Sequence, residues 1–211
     1  MNPAIDERVT RLAVIAAALL YGAAHLAWFG TTPLGAFPVL DGREILELAK
    51  QIAAGTVAAE PFYRAPLYPA LISVFVWLGV PETALPDAAR ALNLLAHVVS
   101  ATLVFELARR LWGNVRAGLL GGLVYALYPV TVDFAGDPLD ITLATTLALA
   151  STLAAWLAVE RGSVRQAAAA AALMALAALA RPNFLLCLPG FFLWLGWHSW
   201  RDRSHLRLLA A

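Results

Sequence analysis

The chain has 211 residues, of which 61% are hydrophobic and 14% are charged, and its formal net charge is +1. Its mean hydropathy is +0.73, and this apolar excess excludes an ordinary soluble domain, in which apolar residues make up roughly half of the chain. The basic residues are scattered, which excludes the basic stripe of a nucleic-acid-binding protein. The composition therefore predicts an all-α, polytopic transmembrane protein.

Six apolar segments follow one another along the chain, at residues 12–30, 88–108, 117–135, 138–159, 166–180 and 183–198. A membrane-spanning helix needs about 20 apolar residues. No convincing small-residue cleavage site follows the first segment, so we expect an uncleaved helix rather than a signal peptide. The last two segments are short and are separated by "RPN" at 181–183. Because proline disfavours helix at the preceding residue, we expect a hairpin with Arg181 near its tip.

The arginine clusters predict an orientation, because cytoplasmic loops are enriched in basic residues. If residues 31–87 form an extracytoplasmic loop, the N-terminus is cytoplasmic, as are Arg8, Arg11, Arg109, Arg110, Arg116, Arg161, Arg165, Arg201, Arg203 and Arg207. The proline-framed segment 66–80 is too short to cross comfortably. We expect it to form a juxtamembrane or re-entrant helix inside this loop. The sequence thus predicts one transmembrane domain over residues 1–211, with about six spans, in the plasma (inner) membrane.

The first acidic stretch is "PVLDGREILELAKQIAAG" at 38–55. Asp41 and Glu44 match a capping box, and Gly55 supplies a C-terminal stop. Apolar residues recur with helical spacing between them, at Ile45, Leu48, Ala49 and Ile52. We therefore expect an amphipathic helix on the outer membrane surface. Two roles remain open for Asp41, a simple helix cap or a carboxylate with a chemical role that the helix dipole keeps ionised.

The second acidic stretch is "YPVTVDFAGDPLDITLATTL", with Asp133, Asp137 and Asp140 between two apolar segments. These carboxylates either mark a loop, with Asp137 or Asp140 capping a helix that starts near Pro138, or form a polar site. Two acidic stretches on the same predicted face, each beside a break in the helical pattern, favour a shared site. His25 and His97 stand alone in apolar helices, where packing roles are expected.

Five motifs, in this order, resemble the N-terminal membrane half of the GT-C superfamily of glycosyltransferases. They are "VLDG", "PFYRAPLYPAL", "ARALNLLAHVVSATLVFELARRLWG", "YALYPVTVDFAGDPLD" and "ALARPNFLLCLPGFFLW". The pattern is most similar to the branch that includes protein O-mannosyltransferases and bacterial lipid A aminoarabinose transferases, and it extends from about residue 10 to 198. Members of this superfamily are longer, so the resemblance predicts that residues 1–211 are the N-terminal part of a longer enzyme.

The resemblance implies transfer of a sugar, with inversion, from a polyprenyl-phosphate donor to a lipid or protein acceptor on the outer face of the membrane. Asp41 matches the general base. Asp137 matches an acidic residue that arranges the acceptor or a cation, and Asp140 is its neighbouring candidate. Arg64 and Arg181 are candidates to bind the donor phosphate, although an interfacial arginine at position 64 is also explained by snorkelling. No cofactor is certain, and a divalent cation remains open.

Two other classes of protein remain alternatives at this stage. Short, proline-broken helices around charged residues are also found in lipid or solute transporters. A transporter needs polar residues that line a path from both faces, whereas the acids of this sequence gather on one predicted side. The third alternative is a truncated, non-catalytic membrane protein.

Overall fold

The computed structural model describes residues 6–57 and 64–201. Arg203 and Arg207 of the predicted cytoplasmic cluster lie outside these ranges. Within them the chain forms helices and no strand, which confirms the all-α prediction. The helices are α1 (Glu7–Phe29), α2 (Pro33–Ala36), α3 (Leu40–Ala54), α4 (Leu67–Trp77), α5 (Leu85–Trp112), α6 (Val115–Leu127), α7 (Pro129–Gly136), α8 (Ile141–Arg161), α9 (Val164–Ala180) and α10 (Cys187–Arg201), with 3-10 turns at Glu82–Ala84 and Pro182–Leu186.

Three of the described helical segments are long and apolar enough to cross a membrane, at Glu7–Phe29, Glu82–Trp112 and Ile141–Arg161. The pair α6 and α7 passes the same test, but its two helices meet at a 49° bend, where the proline that opens α7 has no backbone N–H to donate. α9 is shorter, with 17 residues, and the last predicted segment is divided between a 3-10 turn and α10. The polytopic membrane fold is confirmed; among the described residues three helices, or four if the bent pair is one span, are long enough to cross a membrane, compared with the six or so predicted.

The long helices place their ends at two opposite poles of the bundle. Ser100 Oγ lies 2.7 Å from Thr146 Oγ1, and further along both helices Arg110 Nη1 lies 2.7 Å from Glu160 Oε2. α5 and α8 therefore run in the same direction. We call the pole with Arg110 and Glu160 the basic end. Glu106 pairs there with Arg11 at 2.7 Å, which brings the start of α1 to the same pole.

The opposite pole, the acidic end, holds both acidic stretches predicted to share one face. It is formed by the end of α1, the starts of α3, α5 and α8, and the ends of α7 and α9. The predicted separation of the acidic stretches from the arginine clusters is therefore present in the fold. Which pole faces the cytoplasm remains a prediction.

The segment between α1 and α5 packs against the bundle through α3, α4 and the start of α5. α3 packs on α4, where Ile45 and Ala49 are buried together with Tyr68 and Ile72, and the indole Nε1 of Trp77 donates to a backbone carbonyl at the end of α3 at 2.9 Å. The predicted amphipathic helix is therefore present as α3, and its buried positions face protein; its place at the membrane surface remains a prediction. Helical periodicity reveals an apolar face but not what covers it.

Neither predicted cap is formed by the aspartate side chains. α3 begins at Leu40 with Val39 as N-cap, so Asp41 lies in the first turn and caps nothing. Leu40 has a φ of 47°, a left-handed conformation that costs an L residue about 1–2 kcal/mol. α8 begins at Ile141 rather than near Pro138, and its N-cap Asp140 makes no side-chain cap hydrogen bond. Both carboxylates are therefore available for other contacts.

Small residues on α6 allow close packing against α1 and α5. A Cβ added at Gly118 would lie 2.9 Å from the Phe105 carbonyl oxygen and 3.0 Å from the Arg109 Cβ, and one added at Gly122 would lie 2.9 Å from both Val14 methyl carbons. Helix association in a membrane depends on such contacts, because lipid supplies no hydrophobic driving force between helices.

We expect Gly118→Ala to lower the thermal unfolding temperature in detergent, although alanine is intrinsically the better helix residue by about 0.5–1 kcal/mol. The new methyl group would push against the α5 backbone. Gly190→Ala is the matched control, because no described atom lies within 4 Å of its added Cβ. Equal unfolding temperatures for the two variants would contradict this account of the α5–α6 contact.

Candidate functional site

Arg64 joins two carboxylates of the first turns of α3. Its Nη2 contacts Asp41 Oδ1 and donates to Glu44 Oε2 at 2.8 Å, and its Nε donates to the same Glu44 oxygen at 2.9 Å. The two acids are three residues apart and therefore share one side of the helix. Hydrogen bonds to Asp41 and then Glu44 raise the pKa of Arg64. The Asp41 side chain remains 56% exposed while that of Arg64 is 27% exposed, so the carboxylate is the accessible partner.

The start of α3 lies directly on the loop that carries the second acidic stretch. A Cβ added at Gly42 would lie 3.0 Å from Pro138 Cγ and 3.5 Å from Asp137 Oδ1. The absence of a side chain at Gly42 therefore lets the first turn of α3 approach this loop. As a result the two predicted acidic stretches meet at one place, although Asp41 and Asp137 are 96 residues apart in the sequence.

Asp140 and Arg181 complete the group by closing the α8–α9 hairpin. Arg181 Nη1 lies 3.2 Å from Asp140 Oδ1, and the Asp140 side chain is 20% exposed. Arg181 is the C-cap of α9, so the helix ends there as the following proline predicts, whereas the predicted hairpin of the last two segments remains a prediction. The five predicted site residues thus belong to one arginine–carboxylate cluster, which we define as Asp41, Glu44, Arg64, Asp137, Asp140 and Arg181.

The two least exposed acids of the cluster, Asp137 and Asp140, have raised pKa values. Burial raises the pKa of Asp137, which the Arg90 guanidinium opposes and the Asp41 carboxylate reinforces. Burial also raises the pKa of Asp140, and there the Arg181 guanidinium is the main opposing influence. Burial disfavours the charged form of a carboxyl group, whereas a nearby guanidinium favours it. Both acids therefore hold a proton to a higher pH than exposed aspartates do.

A buried polar stripe on α5 lies beneath the cluster and is absent from the sequence predictions. It consists of Arg90, Asn93, His97 and Ser100, each at most 7% exposed. The spacing of three, four and three residues places these side chains on one helix face, and this periodicity within "ARALNLLAHVVSATL" is the signal that could have revealed them.

The stripe bonds backbone carbonyls where the neighbouring helices break. His97 Nε2 lies 3.2 Å from the carbonyl oxygen of Ala126, near the α6–α7 bend, so that nitrogen carries the proton. Asn93 Nδ2 donates to the carbonyl oxygens of Asp137 at 2.9 Å and Leu139 at 3.3 Å. The predicted packing role of His97 is therefore accompanied by a hydrogen bond that supports the bend.

His25 also has a partner that its isolated place in the sequence did not suggest. Its Nε2 lies 2.8 Å from Asp133 Oδ1, a contact between α1 and α7, and its ring packs on that of Trp28 with the ring centres 5.3 Å apart, as the predicted packing role requires. Asp133 is the one acid of the second stretch that lies outside the cluster as defined. Among residues 6–57 and 64–201, no three His, Cys, Asp or Glu side chains are grouped to hold a metal ion.

We expect Arg181→Gln to raise the pKa of Asp140 further, because the variant removes the guanidinium that opposes the effect of burial. The protonated-carboxyl band in infrared pH-difference spectra, assigned with Asp140→Asn, should persist to higher pH in Arg181→Gln than in the unmodified protein. Arg165→Gln, an exposed arginine at the basic end, should leave the titration unchanged. A lower Asp140 pKa in Arg181→Gln would contradict the pairing.

Comparison with protein families gives a match to the family described as dolichyl-phosphate-mannose-protein mannosyltransferase, over residues 63–211. Comparison with curated proteins and with solved structures gives no match. The matched region includes Arg64, Asp137, Asp140 and Arg181, whereas Asp41 precedes it. It covers well over half of the chain and confirms the resemblance to GT-C glycosyltransferases: the chain belongs to the dolichyl-phosphate-mannose-protein mannosyltransferase family.

Proposed function

We propose that this protein moves a sugar from a polyprenyl-phosphate donor to a hydroxyl group of a protein or lipid acceptor, with Asp41 as general base. The reaction class, a membrane glycosyltransferase of the mannosyltransferase type, follows from the family. The donor, the acceptor and the residue roles are the proposal. The observation that carries it is the arginine–carboxylate cluster, in which an accessible carboxylate lies among arginines suited to a phosphate.

The proposed reaction is one displacement at the anomeric carbon of the sugar. The acceptor hydroxyl oxygen attacks this carbon and forms the new glycosidic bond, while the bond between the carbon and the phosphate oxygen breaks. The leaving polyprenyl phosphate keeps the electron pair, and the hydroxyl proton passes to Asp41. Attack from the side opposite the phosphate inverts the configuration. Asp41 suits the role of base because its side chain is 56% exposed and a base must come within hydrogen-bonding reach of its proton.

In this proposal arginine supplies the positive charge for the leaving phosphate. A guanidinium offers planar, paired donors that match phosphate oxygens, and such donors stabilise charge as it develops on a leaving group. Arg64 and Arg181 come from opposite sides of the cluster, one before α4 and one after α9. A phosphate that takes a donor of Arg64 competes with Asp41 for it, so donor binding would loosen the base from its ion pair. Asp137 and Asp140 are proposed to orient the acceptor or a divalent cation.

An apolar cavity of about 660 Å³ offers space for the hydrocarbon part of such a donor. It lies between α5, α8 and α10, and its lining includes Phe184 and Cys187. These residues follow Arg181 within two turns of helix, so a chain attached to a phosphate at Arg181 has an apolar surface close by. The described lining includes no charged residue, as a polyprenyl chain requires.

The transporter alternative has less support than transfer. A transport path needs polar groups that remain available to solute along the bundle. The polar side chains that continue from the cluster into the bundle are those of the α5 stripe, and they are buried. Asn93 bonds the carbonyl of Asp137, His97 that of Ala126, and Ser100 the hydroxyl of Thr146. These hydrogen bonds support the fold rather than a path.

Orientation and domain organisation form a further part of the proposal. We place the acidic end on the extracytoplasmic face of the plasma membrane and the N-terminus in the cytoplasm, because the arginine clusters then obey the positive-inside rule. In this proposal residues 1–211 form one transmembrane domain, which holds the donor-binding residues.

We expect Asp41→Asn to reduce sugar transfer by at least about a hundredfold, at the lower range of what a general base contributes, and to leave membrane insertion intact. Transfer from a polyprenyl-phosphate mannose to an acceptor is measured with the enzyme in detergent or liposomes. Glu47→Gln is the control, because this exposed acid on the same helix pairs with Lys50 instead of Arg64. Undiminished turnover in Asp41→Asn would falsify the assignment of the base.

We expect Arg64→Gln and Arg181→Gln to weaken binding of a polyprenyl phosphate about tenfold or more each, since a hydrogen bond between charged groups contributes about 1.5–3 kcal/mol. Binding is measured on the purified chain by microscale thermophoresis, with the dephosphorylated polyprenol as reference ligand. Arg43→Gln, an exposed arginine on α3 outside the cluster, should bind normally. Equal affinity for phosphate and alcohol would remove the arginines from the proposed donor site.

A further inference from the structure

Arg90 on α5 is the most enclosed charged side chain near the cluster. The residue is 7% exposed, and its guanidinium carbon lies 5.7 Å from the centre of the Phe29 ring at the end of α1. Its Nη1 pairs with Asp87 at 2.7 Å. Burial of an arginine costs free energy unless its N–H groups are hydrogen-bonded. The acceptors of the other N–H groups of Arg90 therefore indicate what the residue does.

The other two contacts of Arg90 go to backbone carbonyls on both sides of the cluster. Nε donates to the carbonyl oxygen of Gly136 at 2.9 Å, and Nη2 donates to that of Gly35. Gly136 immediately precedes Asp137, and Gly35 lies six residues before Asp41. One planar guanidinium thus bonds both backbone segments that lead to the two acids.

Both acceptor residues are glycines because the backbone must come close to Phe29. A Cβ added at Gly35 would lie 2.0 Å from the Phe29 carbonyl oxygen, and one added at Gly136 would lie 3.0 Å from the Phe29 ring. Asn93, one helical turn after Arg90, bonds the carbonyls of Asp137 and Leu139 in the same loop. Two neighbouring side chains of α5 therefore fix this loop from below.

We propose that Arg90 is a positioning residue that sets the placement of Asp41 relative to Asp137. It touches neither carboxylate in an ion pair; it acts through the backbone at Gly35 and Gly136. Lysine keeps the charge but lacks the rigid fork that serves two carbonyls in different directions. The expected effect of Arg90 on kcat rests on the proposed function, whereas its effect on the distance between α3 and α7 does not.

The test combines a distance measurement with kinetics on the full chain. Spin labels are attached at Ala54→Cys on α3 and Val130→Cys on α7, in a Cys187→Ser background because Cys187 is the only cysteine of the sequence. Double electron–electron resonance then reports the distance between the two helices in the parent and in Arg90→Lys. Arg43→Lys is the matched control, and Asp87→Asn removes the third contact of Arg90 while leaving both carbonyl bonds.

We expect Arg90→Lys to broaden the distance distribution and to lower kcat by about 10–100-fold, the range for a misplacement of about 1 Å, with the donor KM within about twofold. Asp87→Asn and Arg43→Lys should change neither measurement. Should Arg90→Lys fail to fold, Gly136→Ala serves instead, because its methyl group would displace the same carbonyl against Phe29.

An unchanged distribution in Arg90→Lys and Gly136→Ala overturns the inference, and so does a broadened distribution with unchanged kcat in an active enzyme. A fall in kcat accompanied by an equal rise in donor KM assigns Arg90 to donor binding and likewise overturns it. Failure of the proposed function gives a different result. In that case Asp41→Asn retains activity, or the parent protein transfers no sugar, while Arg90→Lys still broadens the distance distribution.

Discussion

The architecture depends on one constraint, the need to satisfy backbone carbonyls where helices break inside an apolar bundle. Each unsatisfied polar group in such surroundings costs several kcal/mol. The chain breaks at the α6–α7 bend and again between α7 and α8, and both breaks lie beside α5. His97 bonds a carbonyl at the first break, and Arg90 and Asn93 bond carbonyls at the second. The α5 stripe thus permits an irregular loop at the acidic end, beside the carboxylates of the cluster.

In the cluster each arginine is paired with a carboxylate, Arg64 with Asp41 and Glu44 and Arg181 with Asp140. Four carboxylates in so small a space would repel one another, and the raised pKa of Asp137 and Asp140 reflects burial reinforced by this repulsion. Arg64 offsets the repulsion on the α3 side and Arg181 on the hairpin side. In the proposed function a bound phosphate would replace Asp41 as a partner of Arg64, and the released carboxylate would remain largely exposed to solvent.

The same arrangement links the fold to the proposed chemistry. A base and a second acid that come from distant parts of the chain need a common support, and α5 provides it beneath both. The network of Glu106 with Arg11 and Arg109 fixes the basic end of the same helix, so α5 is held at both poles. The α5 residues that line the apolar cavity, from Val104 to Trp112, lie further along this helix towards the basic end. In the proposed function the lipid part of a donor and the polar reaction therefore occupy separate surroundings.

The all-α membrane fold was predictable from composition and hydropathy. The order of acidic and arginine-rich segments also predicted which residues share a pole. Both features depend only on the local affinity of each segment for lipid or water. The candidate residues Asp41, Asp137 and Arg181 were also found from the sequence, by their polarity in apolar surroundings and by family pattern. Only the tertiary structure decided the partners. Of the two roles left open for Asp41, the helix cap is not formed, because α3 begins at Leu40 and Asp41 lies in its first turn, where it contacts Arg64, 23 residues away. The role of Arg90 was likewise invisible, since its acceptors are backbone oxygens, which every residue carries and which only the folded chain selects.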